Sequence, residues 1–367
     1  MTTLRTPLCD LLGIEYPIVQ SGMGSAAGPE LAAEVSRAGG LGIIAGLGTR
    51  ADELRRRIRH VRSVTDRPFG VNQWLHTELQ PPVDPARVPE ATMAAVQAQL
   101  NVFRKRLGLA TVSSRAPGMP DLIEEAFAVV LEERVPVWSI GLGNPTSEMV
   151  RRCHAHGVKV MAMIATVEDA RAVVANGVDI VVAQGGEAGG HRSTWIKRAR
   201  EDASVGTMAL VPQVVDAVPV PVLAAGGIAD GRGLVAALAL GAQGALLGTR
   251  FVATRESMAA EIWKKRLLES DGATTTLSEA FTGLWARVLR NRFSEDYAAS
   301  GAPVLPTLMQ QRAAQDIFAG ATEQRDPEHI ALYAGQSAGL VHDLPGAAEV
   351  VEAIAREARH VLQRLPR

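Results

Sequence analysis

The feature that most limits what this chain can fold into is a rhythm between residues 17 and 249. Short apolar runs take turns with amphipathic segments that carry helix start and stop signals. PIVQSGM (17–23), LGIIAG (41–46), FGVNQWL (69–75), VWSIGLG (137–143), VKVMAMIA (158–165), DIVVAQG (179–185), PVLAAGG (221–227) and GALLGT (244–249) read as eight strands. Between them, PELAAEVSRAGG opens with proline and closes with a glycine pair. ADELRRRIRHVRSVT places acids in its first turn and arginines later. TVEDARAVVANG offers Thr166 as an N-terminal cap. Strands that are apolar on both faces suit a parallel sheet covered on both sides. Eight βα units in about 250 residues point to an α/β fold, a closed TIM (β/α)8 barrel. A doubly wound open sheet is the alternative, and the even spacing favours closure.

Two stretches break the rhythm. Residues 76–120 begin with the proline-rich HTELQPPVDPARVPE and continue as a helical run, ATMAAVQAQLNVFRKRLGL. They read as an insertion after the third strand. Beyond residue 255 the strand pattern stops, and LSEAFTGLWARVLRNRFSEDYAA and AAEVVEAIAREARHVLQRL read as helices. The expected division is therefore a barrel built from 1–75 and 121–254. A helical layer from 76–120 and 255–367 would cover one end of it.

Composition excludes several classes. A formal charge of −1 with no long basic tract gives no footprint for nucleic acid. Cys9 and Cys153 form neither a metal-ligand spacing nor a disulfide framework. No basic segment leads into an apolar stretch at the N-terminus, and no uninterrupted run is long enough to span a membrane. The expectation is a cytoplasmic protein without a membrane partner and without a metal.

In such barrels ligands bind in the loops after the strands. The loop after strand six, AQGGEAGGHRST, holds four glycines and ends near a titratable ring, His191. Its neutral form could accept a proton from a carbon acid, and its charged form could donate one. An exposed loop histidine is the plainer reading. Glu187, four residues earlier, could orient that ring or pair with Arg192. His76, just after strand three, is the second candidate. Gly226 and Gly227 after strand seven, and Gly248 and Thr249 after strand eight, can present backbone N–H groups to an anion. Ordinary turn chemistry explains either loop alone, whereas the two on adjacent strands favour phosphate. Asn72 and Gln184 sit near strand ends, suited to a planar heterocycle or to bracing a loop.

QSGMG, PELAAEVSRAGGLGII, FGVN, AQGGEAGGH, AAGGIADGRG, LLGTRFVAT and the late AGQSAGL (334–340) occur in one order along the chain. Together they resemble the nitronate monooxygenases, formerly 2-nitropropane dioxygenases. The flavin-dependent enoyl-acyl-carrier-protein reductases share the same motifs. The resemblance implies FMN. By motif, Gln20, Ser21, Gly22 and Met23 would run beneath the flavin, and Asn72, Gln184, Gly189 and Gly190 would contact it. Gly226, Gly227, Leu246, Leu247, Gly248 and Thr249 would surround the phosphate, and His191 would be the catalytic residue. The implied reaction oxidises an alkyl nitronate with O2 to a carbonyl compound and nitrite. Its partners would be that small-molecule substrate and O2, with a homodimer left open. The competing expectations are an NAD(P)H-using reductase of enoyl thioesters or quinones, and a binding protein without catalysis.

Overall fold

The computed structural model describes residues 4–196, 199 and 204–365. Residues 1–3, 197, 198, 200–203, 366 and 367 lie outside that description. Among the described residues the strands are β1 (Ile18–Gln20), β2 (Gly42–Ala45), β3 (Phe69–Leu75), β4 (Val137–Gly143), β5 (Lys159–Ile164), β6 (Ile180–Gln184), β7 (Gly190–His191), β8 (Val222–Ala225), β9 (Gly244–Leu247), β10 (Thr275–Ser278) and β11 (Ala286–Leu289). Eight of them form one parallel sheet in the order β1-β9-β8-β6-β5-β4-β3-β2. A parallel bridge from Val19 to Leu41 joins its two ends. There Gln20 N–H donates to Leu41 O and Leu41 N–H to Ile18 O, both at 2.9 Å. The sheet is thus a closed TIM-type barrel.

Strand parity decides what each side chain meets, because successive residues point to opposite faces. On β6, Ile180 and Val182 join the barrel's interior cluster, while Val181 and Ala183 pack outward under the helices. On β5, Met161 and Met163 turn inward, and on β8 Leu223 and Ala225 do the same. Helix Pro7–Leu12 adds Leu8, Cys9 and Leu12 to that interior cluster alongside Val137 and Ile180, which begin or lie near the start of their strands. The interior is therefore filled at the strand starts. Its opening is left at the strand C-termini.

A second core is built from the 76–120 insertion and much of the C-terminal region. Helix Glu90–Arg106 buries Met93, Val96, Leu100 and Phe103, a three-and-four spacing that makes one apolar stripe. Phe103 meets Phe293 with centroids 4.5 Å apart, and Phe293 stacks on Phe281 at 4.9 Å. Arg104 is 1% exposed. Its guanidinium donates to both oxygens of Asp316 (2.7 and 3.0 Å), to Ala313 O at 2.6 Å, to Gln97 Oε1 at 2.9 Å and to Asn101 Oδ1 at 3.0 Å. A charge buried in this way is tolerated because its donors are so widely satisfied.

Two expectations for the C-terminal region change. LSEAFTGLWARVLRN does not form a helix: β10 and β11 pair antiparallel, and β11 pairs in turn with β7, setting Ala286 opposite His191 and Arg287 opposite Gly190. Long-range pairing has overridden the helix-forming Leu, Ala and Arg of this stretch. The last helix, Ala347–Arg364, does not cover the barrel mouth. Its Val350, Val351, Ile354 and Ala358 belong to the core between the barrel sheet and its surrounding helices. Among the described residues no helix is long and apolar enough to cross a membrane, and no cluster of three or more His, Cys, Asp or Glu is placed to hold a metal.

Candidate active site

A cavity of about 380 Å³ opens at the C-terminal ends of the barrel strands, within the size range of small-molecule sites. Ser21, Gly22, Met23, Asn72, Gln184, Gly189, Gly190, His191, Gly226, Gly227, Leu246, Gly248 and Thr249 all line it. Gln20 and Leu247 do not. These two sit opposite each other in the β1–β9 register, and each has the parity that points away from the interior. Leu247 is 1% exposed in the outer core. Gln20 is fully buried, and its amide accepts from Ile43 N–H at 3.0 Å and donates to Ile43 O at 3.2 Å. It ties β1 to β2 rather than facing the cavity.

Several glycines here have a steric reason. A Cβ on Gly22 would lie 2.3 Å from Asn72 Cβ, so only glycine lets the β1 loop lie against β3. Gly226 has φ +106, and a Cβ there would come within 2.9 Å of Ala188 N. Gly227 has φ +74, the left-handed region that favours glycine. A Cβ there would touch only Glu187 carbons at 3.7–3.8 Å. Gly189 packs under the AGQSAGL segment, where a Cβ would lie 2.4 Å from Gly335 N. Two motifs far apart in sequence therefore meet at one wall.

The two amides have different duties. Gln184 Nε2 donates to His191 O at 2.8 Å, while its Oε1 accepts from Ser193 N–H at 2.8 Å and from Arg192 Nη2 at 2.5 Å. It braces the loop that carries the histidine. Asn72 Nδ2 donates to Ser139 Oγ at 3.1 Å. Its Oδ1 makes no hydrogen bond among the described residues, leaving an acceptor for a ligand.

His191 is held at the cavity wall by backbone, side chain and ring contacts together. Its strand β7 is an edge of the second sheet. Its Nε2 lies 2.9 Å from Thr282 Oγ1. Trp74 meets the ring edge-on with centroids 4.7 Å apart, and Tyr333 lies at 5.3 Å. The ring keeps some surface on the cavity, yet surrounding protein pushes its pKa down to about 3, with the nearby His76 adding to the effect. At neutral pH the imidazole is uncharged.

Other candidates take structural roles. Glu187 neither orients the ring nor reaches Arg192 by hydrogen bond. Its carboxylate accepts from Thr207 N–H (2.8 and 3.0 Å) and Thr207 Oγ1 (2.8 Å), at the start of helix Thr207–Ala217. A carboxylate suits that position because helix N-termini carry unpaired N–H groups. Arg192 is 2% exposed, and burial, followed by the charge of Arg287, pushes its pKa down to about 9, which leaves it cationic. His76 is buried outside the cavity wall. Its Nδ1 accepts from Glu78 N–H at 3.2 Å and lies 3.3 Å from Thr307 Oγ1, and burial lowers its pKa. The sequence reading missed Trp74, Thr282, Leu308, Tyr333 and Ser337, all on the cavity wall. Parity on β3 would have found Trp74, two residues beyond Asn72; the others follow only from the second core.

The family model described as Nitronate monooxygenase matches residues 5–357. A Staphylococcus aureus (strain Newman) protein described as "Probable nitronate monooxygenase" is 33% identical over 363 residues, covering 98% of this chain and 99% of that one. The solved nitroalkane oxidase from Streptomyces ansochromogenes superposes with a TM-score of 0.88 at 36% identity, covering 98% of this chain and 99% of that chain. FabK from Thermotoga maritima superposes with a TM-score of 0.75 at 34% identity, covering 99% and 98% respectively. With one family model spanning almost its whole length and relatives matched end to end, this chain belongs to the nitronate monooxygenase family of oxidoreductases.

Proposed function

We propose that this chain is an FMN-dependent nitronate monooxygenase that converts alkyl nitronates and O2 to a carbonyl compound and nitrite. The observation that carries the reading is a single cavity bringing an uncharged His191 together with both glycine loops, 226–227 and 248–249. The residues fit FMN. Gly226, Gly227, Gly248 and Thr249 would hold the phosphate. The Thr249 hydroxyl accepts from Gly335 N–H at 2.9 Å, so its own proton is left for an anion. Ser21, Gly22, Met23, Gly189 and Gly190 would lie along the ring system, and the free Asn72 Oδ1 would meet a ring N–H. When bound, FMN supplies the redox chemistry between substrate and O2.

The protein's own part is position and proton handling. His191 Nδ1 has no hydrogen-bond partner among the described residues. With a neutral nitroalkane it would take the proton from the carbon beside the nitro group, leaving the nitronate anion next to the imidazolium. That anion offsets the burial that otherwise disfavours the charged ring. Trp74, Leu142 and Met163 give the cavity apolar wall, which excludes water from around the pair.

The test is nitrite release by the FMN-loaded protein and by His191→Asn. Turnover of nitroethane should fall by about 10²–10⁴-fold, the usual worth of a placed acid–base group, while FMN content persists. Equal turnover by the two proteins would remove His191 from the reaction.

A further inference from the structure

The ring of His191 is fixed from outside the barrel. Thr282, 1% exposed, lies between β10 and β11. Its carbonyl accepts from Leu308 N–H at 2.8 Å, and its own N–H donates to Glu279 O at 3.3 Å. Its hydroxyl oxygen lies 2.9 Å from His191 Nε2 and 3.4 Å from both the N–H and the carbonyl of Leu284. Two proton arrangements are available to a neutral ring. If the threonine hydroxyl donates to Nε2, the Leu284 carbonyl loses its hydroxyl partner, and the ring proton sits on Nδ1 with no protein acceptor. If Nε2–H donates to the threonine instead, the hydroxyl turns to Leu284 O, Leu284 N–H still has its acceptor, and only an acceptor lone pair on Nδ1 is left over. The second arrangement serves the buried hydroxyl and both backbone groups of Leu284 at once, whereas the first leaves the buried Leu284 carbonyl without its hydroxyl donor, and an unpaired buried backbone group is costly.

We propose that Thr282 is a positioning residue that keeps the proton on Nε2 and so presents the bare Nδ1 of His191 to the cavity as a proton acceptor. The assignment rests on the nitroalkane chemistry proposed above, and it makes the second core responsible for whether the histidine acts as a base. Removing the hydroxyl while keeping the shape, Thr282→Val, frees the ring to carry its proton on either nitrogen. Substrates that need deprotonation should then suffer more than those that arrive already ionised.

The experiment uses the FMN-loaded protein. A long-range ¹H–¹⁵N spectrum of the His191 imidazole should show the proton on Nε2 in the wild type and a mixture in Thr282→Val. The ratio of kcat/KM for nitroethane to that for ethyl nitronate should fall roughly 10-fold in Thr282→Val, the scale of one lost hydrogen bond. Thr282→Ser, which keeps the hydroxyl, should restore most of the ratio. A wild-type spectrum with the proton on Nδ1 would overturn the proposal, as would equal loss on both substrates in Thr282→Val. If the wild type releases no nitrite from either substrate, the functional reading fails, and the spectrum alone then decides where the proton resides.

Discussion

The barrel and the second core both reach the same cavity, and they bring different things to it. The barrel contributes mainly backbone and parity: glycine loops after β1, β8 and β9, and inward side chains such as Asn72 midway along β3 and Gln184 at the end of β6. Each of those sits on a barrel strand or the loop that follows it, where strand parity is a local signal. The second core contributes side chains that touch the histidine, Thr282 and Tyr333, together with the strand β11 that pairs with β7. None of these is set locally. A repeating scaffold is thus suited to hold a cofactor, while the less regular layer tunes the group that would meet the substrate.

That contrast can be broken from either side. The largest effect is expected in the barrel. Gly227→Glu would place a carboxylate beside Glu187 and in the proposed phosphate position, and bound FMN should be lost altogether, measured as flavin absorbance per protein after gel filtration. Gly227→Ala, which adds only backbone strain on the order of 1–2 kcal/mol, should retain part of it. A yellow Gly227→Glu protein would show that the phosphate lies elsewhere.

Damage to the second core should read differently. Arg104→Ala leaves Asp316, Gln97 and Asn101 without their shared donor; Asp316 is half exposed, so the cost comes mainly from the buried Gln97 Oε1 and Ala313 O, and stability in urea should drop by about 2 kcal/mol. FMN affinity should change far less, since the glycine loops belong to the barrel. A variant that kept its stability would mean the polar cluster around Arg104 contributes little to the second core.

The smallest effect concerns pH at the junction of the two regions. An unfolded His191 takes up a proton as pH falls through its ordinary value of 6.5, whereas the folded ring resists until about 3. The unfolded state then binds more protons, so stability is complete above pH 6.5 and declines between 6.5 and about 3. His76, also held below its ordinary value by burial, adds in the same direction. The fall in unfolding free energy across this window should be shallower in His191→Asn than in the wild type. Identical slopes would show that the ring is not shielded from protons in the native state.

How much of this was legible in the sequence follows the same divide. FGVNQWL and VWSIGLG coincide residue for residue with β3 and β4, because apolar runs bounded by turn residues are a local signal. The glycine loops could be placed for the same reason. Gln20 and Leu247 were drawn into the site by motif, although alternation along β1 and β9 turns both outward while their neighbours Ser21 and Leu246 face the cavity. The spacing of Glu187 from His191 suggested a partnership, yet a loop does not keep helical spacing, and the carboxylate went to Thr207. The hairpin of β10 and β11 was invisible because its four-residue strands exist through their pairing with each other and with Gly190–His191. Thr282 was hidden with it.

The central claim is that the protein binds FMN for electrons from a nitronate and not from a pyridine nucleotide. Its most direct test is the flavin absorbance of FMN-loaded protein mixed anaerobically with ethyl nitronate or with NADH. The nitronate should change the flavin spectrum, and NADH should leave it yellow. Bleaching by NADH with no response to the nitronate would contradict it.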